Sequence, residues 1–303
     1  MSLMTGIKAN KAYRLQKNGQ KEEAIRLYEE VFAEGLNDPR YNLAYALLII
    51  RDGQYQKAKD FLVKHQKAPN MSQDQRVNLL VDYAVCCFRL GDLDKGINTL
   101  EQQFRKTETG LLYQTLGYLY VEKYDLAHRP DFAALAAAEE ARKEAEEKEQ
   151  SAEDGTADAA AEAAEEGAEA VTAAESAGEP APAEKQLTPE EAWEAGADKA
   201  EAFIRNSVDY DEDDPICLDN LGQFLYRVRD NRAEAKRYFE KALKLKDNQI
   251  DTLYFLSRYD EEAGNRQEAL DKLEKALNGR FSPLNYCSKG QIEQEIARLK
   301  GAQ

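Results

Sequence analysis

The chain has 303 residues, 43% of them hydrophobic, and carries a net charge of −16 at pH 7. That length suits one large domain, two ordinary domains or a repeat solenoid, and the acidic balance argues against a nucleic-acid-binding surface. No apolar run approaches the ~20 residues of a membrane span, and residues 1–11 lack the apolar centre of a secretion signal. We therefore expect a cytoplasmic protein that binds neither nucleic acid nor membrane.

The residues that usually build catalytic or metal sites are scarce. The chain contains two histidines, His65 and His128, and four cysteines, Cys86, Cys87, Cys217 and Cys287, with no C-x-x-C spacing. No phosphate-binding loop or nucleophile motif occurs either. We expect buried, unpaired thiols and a non-enzymatic protein without metal or cofactor.

A short pattern recurs along the chain, in which a small residue is followed four positions later by a large apolar one. It occurs as Ala24-x3-Tyr28, Ala58-x3-Leu62, Gly96-x3-Leu100, Ala200-x3-Ile204, Ala235-x3-Phe239 and Ala269-x3-Leu273. Successive small residues are 34, 38, 104, 35 and 34 positions apart. All but one of these intervals indicate a single repeat period.

Each repeat has two halves separated by turn residues. The first half is clearest at Tyr113-x2-Leu116-Gly117-x2-Tyr120 and Leu218-x2-Leu221-Gly222-x2-Leu225, and the turns are Asn18-Gly19, Asp52-Gly53, Gly91-Asp92 and Gly264-Asn265. Apolar residues in both halves recur at i, i+3, i+4 and i+7, the spacing of a helix with one buried face. The repeat unit is thus predicted to be a helix, a glycine turn and a second helix.

These motifs resemble the tetratricopeptide repeat of bacterial-type helical scaffolds, whose signature is W-x2-L-G-x2-Y, then A-x3-F, then P, over 34 residues. The tryptophan is missing here, and the prolines Pro39, Pro215 and Pro283 fall in connections. The resemblance implies an all-α, right-handed solenoid of about six helix-turn-helix repeats with a C-terminal capping helix. Small residues such as Gly117, Gly222 and Ala235 are expected to let paired helices approach closely.

The anomalous interval places an insertion of about 71 residues within repeat four. Residues 125–189 contain 18 acidic and 5 basic residues, which account for 13 of the 16 net negative charges. We predict repeats one to three and the first helix of repeat four at 1–124, the insertion at 125–188, and the remaining repeats with the cap at 189–303. Within the insertion, alanine-rich residues 131–150 predict a solvated helix, and residues 151–186 have the composition of a disordered segment.

Order is expected to resume at Thr188-Pro189-Glu190-Glu191, a helix start with a capping threonine and glutamate. The following helix carries the only tryptophan, Trp193, as a core anchor for a lengthened helix or as a partner-binding aromatic. At the other end, Ser288 and Gln291 form a candidate capping box before an apolar stripe of Ile292, Ile296 and Leu299. This last helix suits the cap that a solenoid requires.

The family resemblance also implies where a partner would bind. In tetratricopeptide proteins the first helix of each repeat lines a concave surface, and five of its positions face the ligand. Carried onto this sequence, they give the candidate groove residues Tyr13, Lys17, Leu47, Arg51, Val85, Phe88, Arg89, Tyr118, Gln223, Tyr226, Arg227, Tyr254 and Arg258. The middle of the groove, with Leu43, Leu47, Ile50 and Val81, is apolar and suits an apolar stretch or helix of a partner.

Basic residues recur at the thirteenth helix position, at Lys17, Arg51, Arg89 and Arg227. This row could grip a carboxylate with paired hydrogen bonds, but a cation is also favoured in a last helical turn without any ligand. We expect a scaffold that binds a protein or peptide in the groove. Two alternatives stay open: a self-associating assembly, and a chaperone-like factor whose acidic insertion regulates access to the groove.

Overall fold

The computed structural model describes residues 3–157 and 187–301 of the chain. In this part the chain is all-helical, with a 3-10 turn at Leu126–His128. The helices are α1 Leu3–Lys17, α2 Lys21–Ala33, α3 Pro39–Arg51, α4 Tyr55–His65, α5 Gln73–Arg89, α6 Leu93–Phe104, α7 Gly110–Tyr124, α8 Phe132–Ala157, α9 Pro189–Tyr210, α10 Pro215–Arg227, α11 Arg232–Leu245, α12 Ile250–Glu262, α13 Arg266–Leu277 and α14 Lys289–Gly301. Two compact units are present: a repeat unit, residues 1–127 and 197–303, and a second unit, residues 128–196.

The repeat unit confirms the predicted architecture of six helix pairs followed by a cap. The pairs are α1/α2, α3/α4, α5/α6, α10/α11 and α12/α13, together with α7/α9, in which Phe203 packs against Tyr113 and Tyr120. Four of their turns contain the predicted glycine at positive φ, namely Gly19, Gly53, Gly91 and Gly264. Asp230 takes this conformation between α10 and α11, with φ of 49°. A left-handed residue closes each of these helices because it lets the next amides return to the last free carbonyls.

Small residues sit where paired helices approach most closely, as expected. A Cβ atom on Gly222 would lie 2.7 Å from the ring of Phe239 in the partner helix α11. A Cβ on Gly96 would lie 3.0 Å from the carbonyl oxygen of Ala84. Ala24, Ala58, Ala235 and Ala269 are fully buried. The recurring small residue is therefore a packing requirement of the helix pair.

Proline marks helix starts and not only connections. Pro39 and Pro215 are the first residues of α3 and α10, which corrects their predicted place in the connections. Asp38 and Asp214 cap these helices: their carboxylates accept from the amides of Arg40 at 2.9 Å and Ile216 at 2.8 Å. Proline fits the first helical position because it has no N–H that needs a partner there.

The C-terminal cap forms as predicted. Ser288 and Gln291 make a reciprocal capping box before α14, with N–H···O distances of 2.8 and 3.3 Å. Ile292 and Leu299 of α14 join the apolar cluster of α12 and α13. The last repeat is thereby covered by a helix whose outer face is polar.

The second unit contains α8 and the first turns of α9. Helix α8 continues past the predicted end at residue 150 to Ala157, and the predicted disorder of 158–186 lies outside the described residues. Thr188 and Glu191 form the predicted capping box, and Trp193 packs edge-on against Phe132 with ring centroids 6.1 Å apart. No helix in the described part of the chain is long and apolar enough to cross a membrane.

Candidate functional site: a groove along the first helices

The structure gathers the predicted residues of the first two repeats around one cavity. Tyr13 and Lys17 of α1 and Leu47 and Arg51 of α3 line a space of about 650 Å³. It is also lined by Gln16, Arg40, Leu43, Ala44, Asn78, Val81, Asp82, Leu111 and Arg280. We call this cavity the open half of the groove. Its floor is apolar and polar groups surround it, a combination that is common in ligand-binding sites.

The rim of the open half is mainly cationic. Arg40 lies over the rings of Tyr13 and Tyr41, and the ammonium of Lys17 lies 4.7 Å from the Tyr13 ring centroid. Arg51 forms no ion pair with any described residue; burial and the nearby Arg280 lower its pKa. A surface lined by four cationic side chains and one carboxyl group, Asp82, favours an anionic partner group.

One carboxyl group, Asp82, belongs to this lining. Burial raises the pKa of Asp82 to about 7, although the charge of Arg51 opposes the shift. The group is therefore partly protonated near neutral pH, and it offsets the charge of Arg51 less than an ordinary aspartate would.

A chain segment that the sequence analysis missed lies across the groove. It is the connection between α13 and α14, residues 280–287, which we call the strap. Leu284 packs against the apolar cluster of α1–α5 and also against that of α5–α7. Its signal was present in the sequence, because Phe281, Leu284 and Tyr286 are large apolar residues in a connection.

Besides the packing of Leu284, and of Tyr286 on the rings of Tyr254 and Phe255, the strap contacts two charged groups of the repeat unit. The buried carboxylate of Asp251 in α12 accepts hydrogen bonds from Asn285 Nδ2 at 3.0 Å and from the amides of Tyr286 at 3.1 Å and Cys287 at 3.4 Å. The ring of Tyr286 stacks on the guanidinium of Arg227, 4.2 Å from ring centroid to Cζ. The strap is thus bound by a polar group and an aromatic contact, as a peptide ligand would be.

A smaller cavity of about 240 Å³ separates the strap from the ends of α3 and α5. Arg51, Arg89 and Lys289 line it together with Tyr55, and no Asp or Glu is among its lining residues. Arg89 lies over the Tyr55 ring, 5.7 Å from its centroid. Two predicted basic residues therefore face one anion-attracting space.

Arg227 does not belong to this row, which corrects its predicted role as a ligand contact. Its side chain is 4% exposed and binds Glu122 at 2.7 Å and Asp125 at 2.6 Å. A further bond runs from its Nη1 to Gln223 at 2.9 Å. These acidic neighbours raise the pKa of Arg227 against the opposing effect of burial. Arg227 is an internal counter-ion that joins α10 to the end of α7.

Two buried carboxylates form the floor beneath the strap. Asp219 accepts from Thr252 Oγ1 at 2.5 Å and Gln223 Nε2 at 2.8 Å. Burial raises the pKa of both Asp219 and Asp251, and the charge of Asp219 adds to the shift at Asp251. With Tyr118 and Gln223 they line a third cavity, about 320 Å³, that lies partly under the strap.

The remaining predicted residues are held by internal contacts. Val85 is buried in the core, and Phe88 packs edge-on against Tyr118. Tyr226 packs against Phe255 and Tyr259, Tyr254 packs against Phe255 and Tyr286, and Arg258 pairs with Glu261 and Glu295. In the described residues, no group of three or more His, Cys, Asp and Glu side chains could hold a metal ion.

The comparisons with known proteins agree with the fold. The sequence model of the family described as anaphase-promoting complex, cyclosome, subunit 3 matches residues 17–103. A comparison with curated protein sequences gives no significant match.

Among solved structures, TTC0263, a thermophilic TPR protein of Thermus thermophilus, is 13% identical with a TM-score of 0.54; the alignment covers 87% of this chain and 99% of that one. PilW, a widely conserved type IV pilus biogenesis factor, is 11% identical with a TM-score of 0.53, covering 94% and 98%. The human IFIT1 dimer with m7Gppp-AAAA is 13% identical with a TM-score of 0.53, covering 96% of this chain and 53% of that one.

Proposed function

We propose that this tetratricopeptide-type helical-repeat protein is a non-enzymatic scaffold that binds a segment of a partner protein in the open half of its groove. The observation that carries the proposal is the open half itself, a cavity with an apolar floor and a cationic rim. The tetratricopeptide-type fold supports protein–protein interaction in general, and the side chains of this cavity supply the finer assignment.

The lining of the open half defines the chemistry of the partner segment. Leu43, Leu47 and Val81 would take apolar side chains, and Lys17 and Arg51 would take carboxylates at the edge of the same segment. A guanidinium can grip a carboxylate with two parallel hydrogen bonds. We therefore expect a segment in which apolar residues alternate with acidic ones.

The side chains around the groove also support a binding role over catalysis. Near α10 and α12 the ionisable groups of the groove are engaged in internal bonds, as Arg227 with Asp125 and Asp251 with the strap illustrate.

The state of the cysteines supports a location for the protein. Cys86, Cys87, Cys217 and Cys287 are buried and unpaired, which suits a reducing compartment such as the cytoplasm.

The proposal is tested by selecting binders from a random peptide library displayed on phage. We expect enriched peptides with apolar and acidic residues, and loss of their binding in Leu47→Glu, which puts a charge on the groove floor. The matched control is Val63→Glu, because Val63 is 47% exposed on α4 and does not line the groove. Equal binding by both variants would place the peptide elsewhere and contradict the proposal.

A second experiment tests whether the open half binds a nucleic acid instead of a protein segment. The oligonucleotide m7Gppp-AAAA, present in the IFIT1 structure, serves as the probe. We expect no saturable binding, because an oligonucleotide offers phosphates to the cationic rim but no apolar side chains to the floor of Leu43, Leu47 and Val81. Saturable binding that Arg51→Ala removes would replace the protein partner by a nucleotide.

A second function, self-association, is favoured by an exposed apolar edge on α1. Leu3 and Ile7 lie one turn apart and are 82% and 56% exposed. Light scattering over a concentration series would show oligomers that Leu3→Glu/Ile7→Glu abolishes. A monomer at every concentration excludes this function and leaves groove binding unaffected.

A further inference from the structure

The strap divides the groove into two parts. The open half lies beside it, whereas the strap itself covers the acidic floor formed by Asp219 and Asp251. A partner segment in the open half therefore meets the strap if it continues along the first helices towards α10 and α12. Arg280 of the strap borders both spaces.

Cys287 at the end of the strap is buried in the apolar cluster of α12–α14, but residues 281–286 are less buried than the helices around them. The three groove cavities, of about 650, 320 and 240 Å³, all border strap residues. Tyr286 remains 37% exposed, whereas Leu116 and Leu119 of the neighbouring helix α7 are fully buried. Because protein interiors are normally close-packed, a segment flanked by voids gains little dispersion energy from its position.

The strap retains its own turn independently of the groove. Asn285 Oδ1 accepts from the amide of Ser282 at 2.7 Å, and Ser282 Oγ accepts from the amide of Leu284 at 3.1 Å. These bonds are internal to the segment, so displacement leaves them intact. Displacement instead breaks the anchors at Asp251 and Arg227 and removes Leu284 from its apolar neighbours. It also separates Tyr286 from the rings of Tyr254 and Phe255, and Phe281 from the cluster of α12–α14.

We propose that the strap is an internal ligand of the groove, which a partner segment displaces to reach the floor beneath it. The partner segment takes over the contacts of the strap. It places an apolar side chain where Leu284 lies, donates backbone N–H groups to Asp251 and stacks an aromatic ring on Arg227. This regulation rests on the proposed function, because the partner first occupies the open half. The strap makes binding selective for segments that are long enough to compete with it.

The decisive measurement is hydrogen exchange of the Tyr286 and Cys287 amides, which bond Asp251. Displacement requires local opening, so we expect these amides to exchange at least roughly tenfold faster than the amides of α7. The urea dependence of their exchange should be weaker than that of global unfolding, because the opening exposes only the surface under the strap. Exchange of these two amides only through global unfolding would overturn the proposal. The measurement uses the unmodified protein, so it does not depend on a variant that folds.

A second experiment measures competition directly with a labelled peptide of residues 280–288. The tethered strap has a high effective concentration and should exclude this peptide from the wild type. In Leu284→Ala/Tyr286→Ala the tethered copy is weakened, and we expect affinity to rise on the order of tenfold or more. The control Val63→Ala/Leu245→Ala removes two exposed apolar side chains away from the groove and should behave like the wild type.

The two proposals fail separately. No gain in the strap variant, with unchanged helicity, shows that the floor is not a peptide site and overturns the internal-ligand proposal. Library peptides that bind Leu47→Glu and Val63→Glu equally contradict the proposed function, but this outcome alters neither the exchange of the strap amides nor the binding of the strap peptide.

Discussion

Arg89 and Arg227 occupy the same predicted position at the ends of two first helices, but their surroundings give them opposite roles. Arg89 is exposed and faces a cavity whose lining contains no Asp or Glu. Arg227 is buried between Glu122 and Asp125. Both residues are arginines at the same helix position, so their different roles come from the acidic or non-acidic residues that the neighbouring elements place beside them.

The difference predicts unequal effects on stability. Arg227→Ala leaves the buried carboxylate of Asp125 and the half-buried carboxylate of Glu122 without their counter-ion, and we expect it to lower the free energy of unfolding by about 3–5 kcal/mol. Arg89→Ala removes an exposed side chain and should change it by no more than about 0.5 kcal/mol. Urea unfolding followed by circular dichroism measures both, and equal losses would contradict the assignment of Arg227 as an internal counter-ion.

Asp82 predicts a pH dependence. Its pKa is raised to about 7 by burial, so the folded protein binds a proton that the unfolded chain releases near pH 4. The stabilisation is complete below pH 4 and is lost as the pH rises through 7. We expect Asp82→Asn to reduce the difference in unfolding free energy between pH 5 and pH 8, on the order of 1 kcal/mol.

Asp219 and Asp251 have raised pKa values too, so they act in the same direction and remain in the Asp82→Asn variant. Asp82, Asp219 and Asp251 together make the wild type more stable at pH 5 than at pH 8. An unchanged pH profile in the variant would show that Asp82 is ionised in the folded protein throughout this range.

At the scale of the helix pair, a glycine where two helices touch behaves differently from one on the surface. A Cβ on Gly222 would meet the Phe239 ring at 2.7 Å, whereas a Cβ on Gly6 in α1 meets nothing within 4 Å. We expect Gly222→Ala to cost about 1–3 kcal/mol through overpacking. Gly6→Ala should stabilise by about 0.4–1 kcal/mol, because alanine loses less backbone freedom on folding.

Thermal unfolding of both alanine variants compares the two glycines under one condition. The reverse order of melting temperatures would mean that α10 and α11 can separate enough to admit a methyl group, and that the recurring small residue is not a packing requirement.

At the scale of the molecule, the acidic insertion is an addition to a complete repeat unit. Arg129 binds Glu190 at 2.7 Å and Glu194 at 3.1 Å, so the chain segments on both sides of the insertion meet. A short glycine–serine linker can then replace residues 131–186. We expect the free energy of unfolding of the repeat unit to change by less than about 1 kcal/mol, since loop length enters it only logarithmically.

The same deletion tests whether the insertion regulates the groove. If its acidic residues compete for Lys17 and Arg51, the deletion should raise the affinity for a selected peptide, most visibly at low salt where charges are least screened. Affinity and salt dependence equal to those of the full chain would show that the insertion is a spacer.

Much of the fold follows from the sequence because it depends on local rules. Helix period, glycine turns and capping pairs such as Ser288 with Gln291 act over a few residues, and the structure confirms them. The end of α8 at Ala157 and the start of α3 at Pro39 differ from the predicted boundaries, since composition and proline content set boundaries only weakly.

The candidate site follows from the sequence only in part. Periodicity brings Tyr13, Lys17, Leu47 and Arg51 to one surface, and the structure places all four around the open half. The same rule cannot tell that Asp125 lies opposite Arg227, about a hundred residues away in sequence. Burial and pairing arise from interactions between repeats, which no local pattern records.

By itself, the sequence determined that this chain is a tetratricopeptide-type solenoid with an insertion in repeat four, because repeat spacing and helix period are properties of neighbouring residues. Only the tertiary structure decided which part of the groove is open. The strap reaches the groove through a connection that contacts Asp251 and Arg227, 35 and 59 positions from Tyr286 in sequence, and no local pattern records contacts between different repeats.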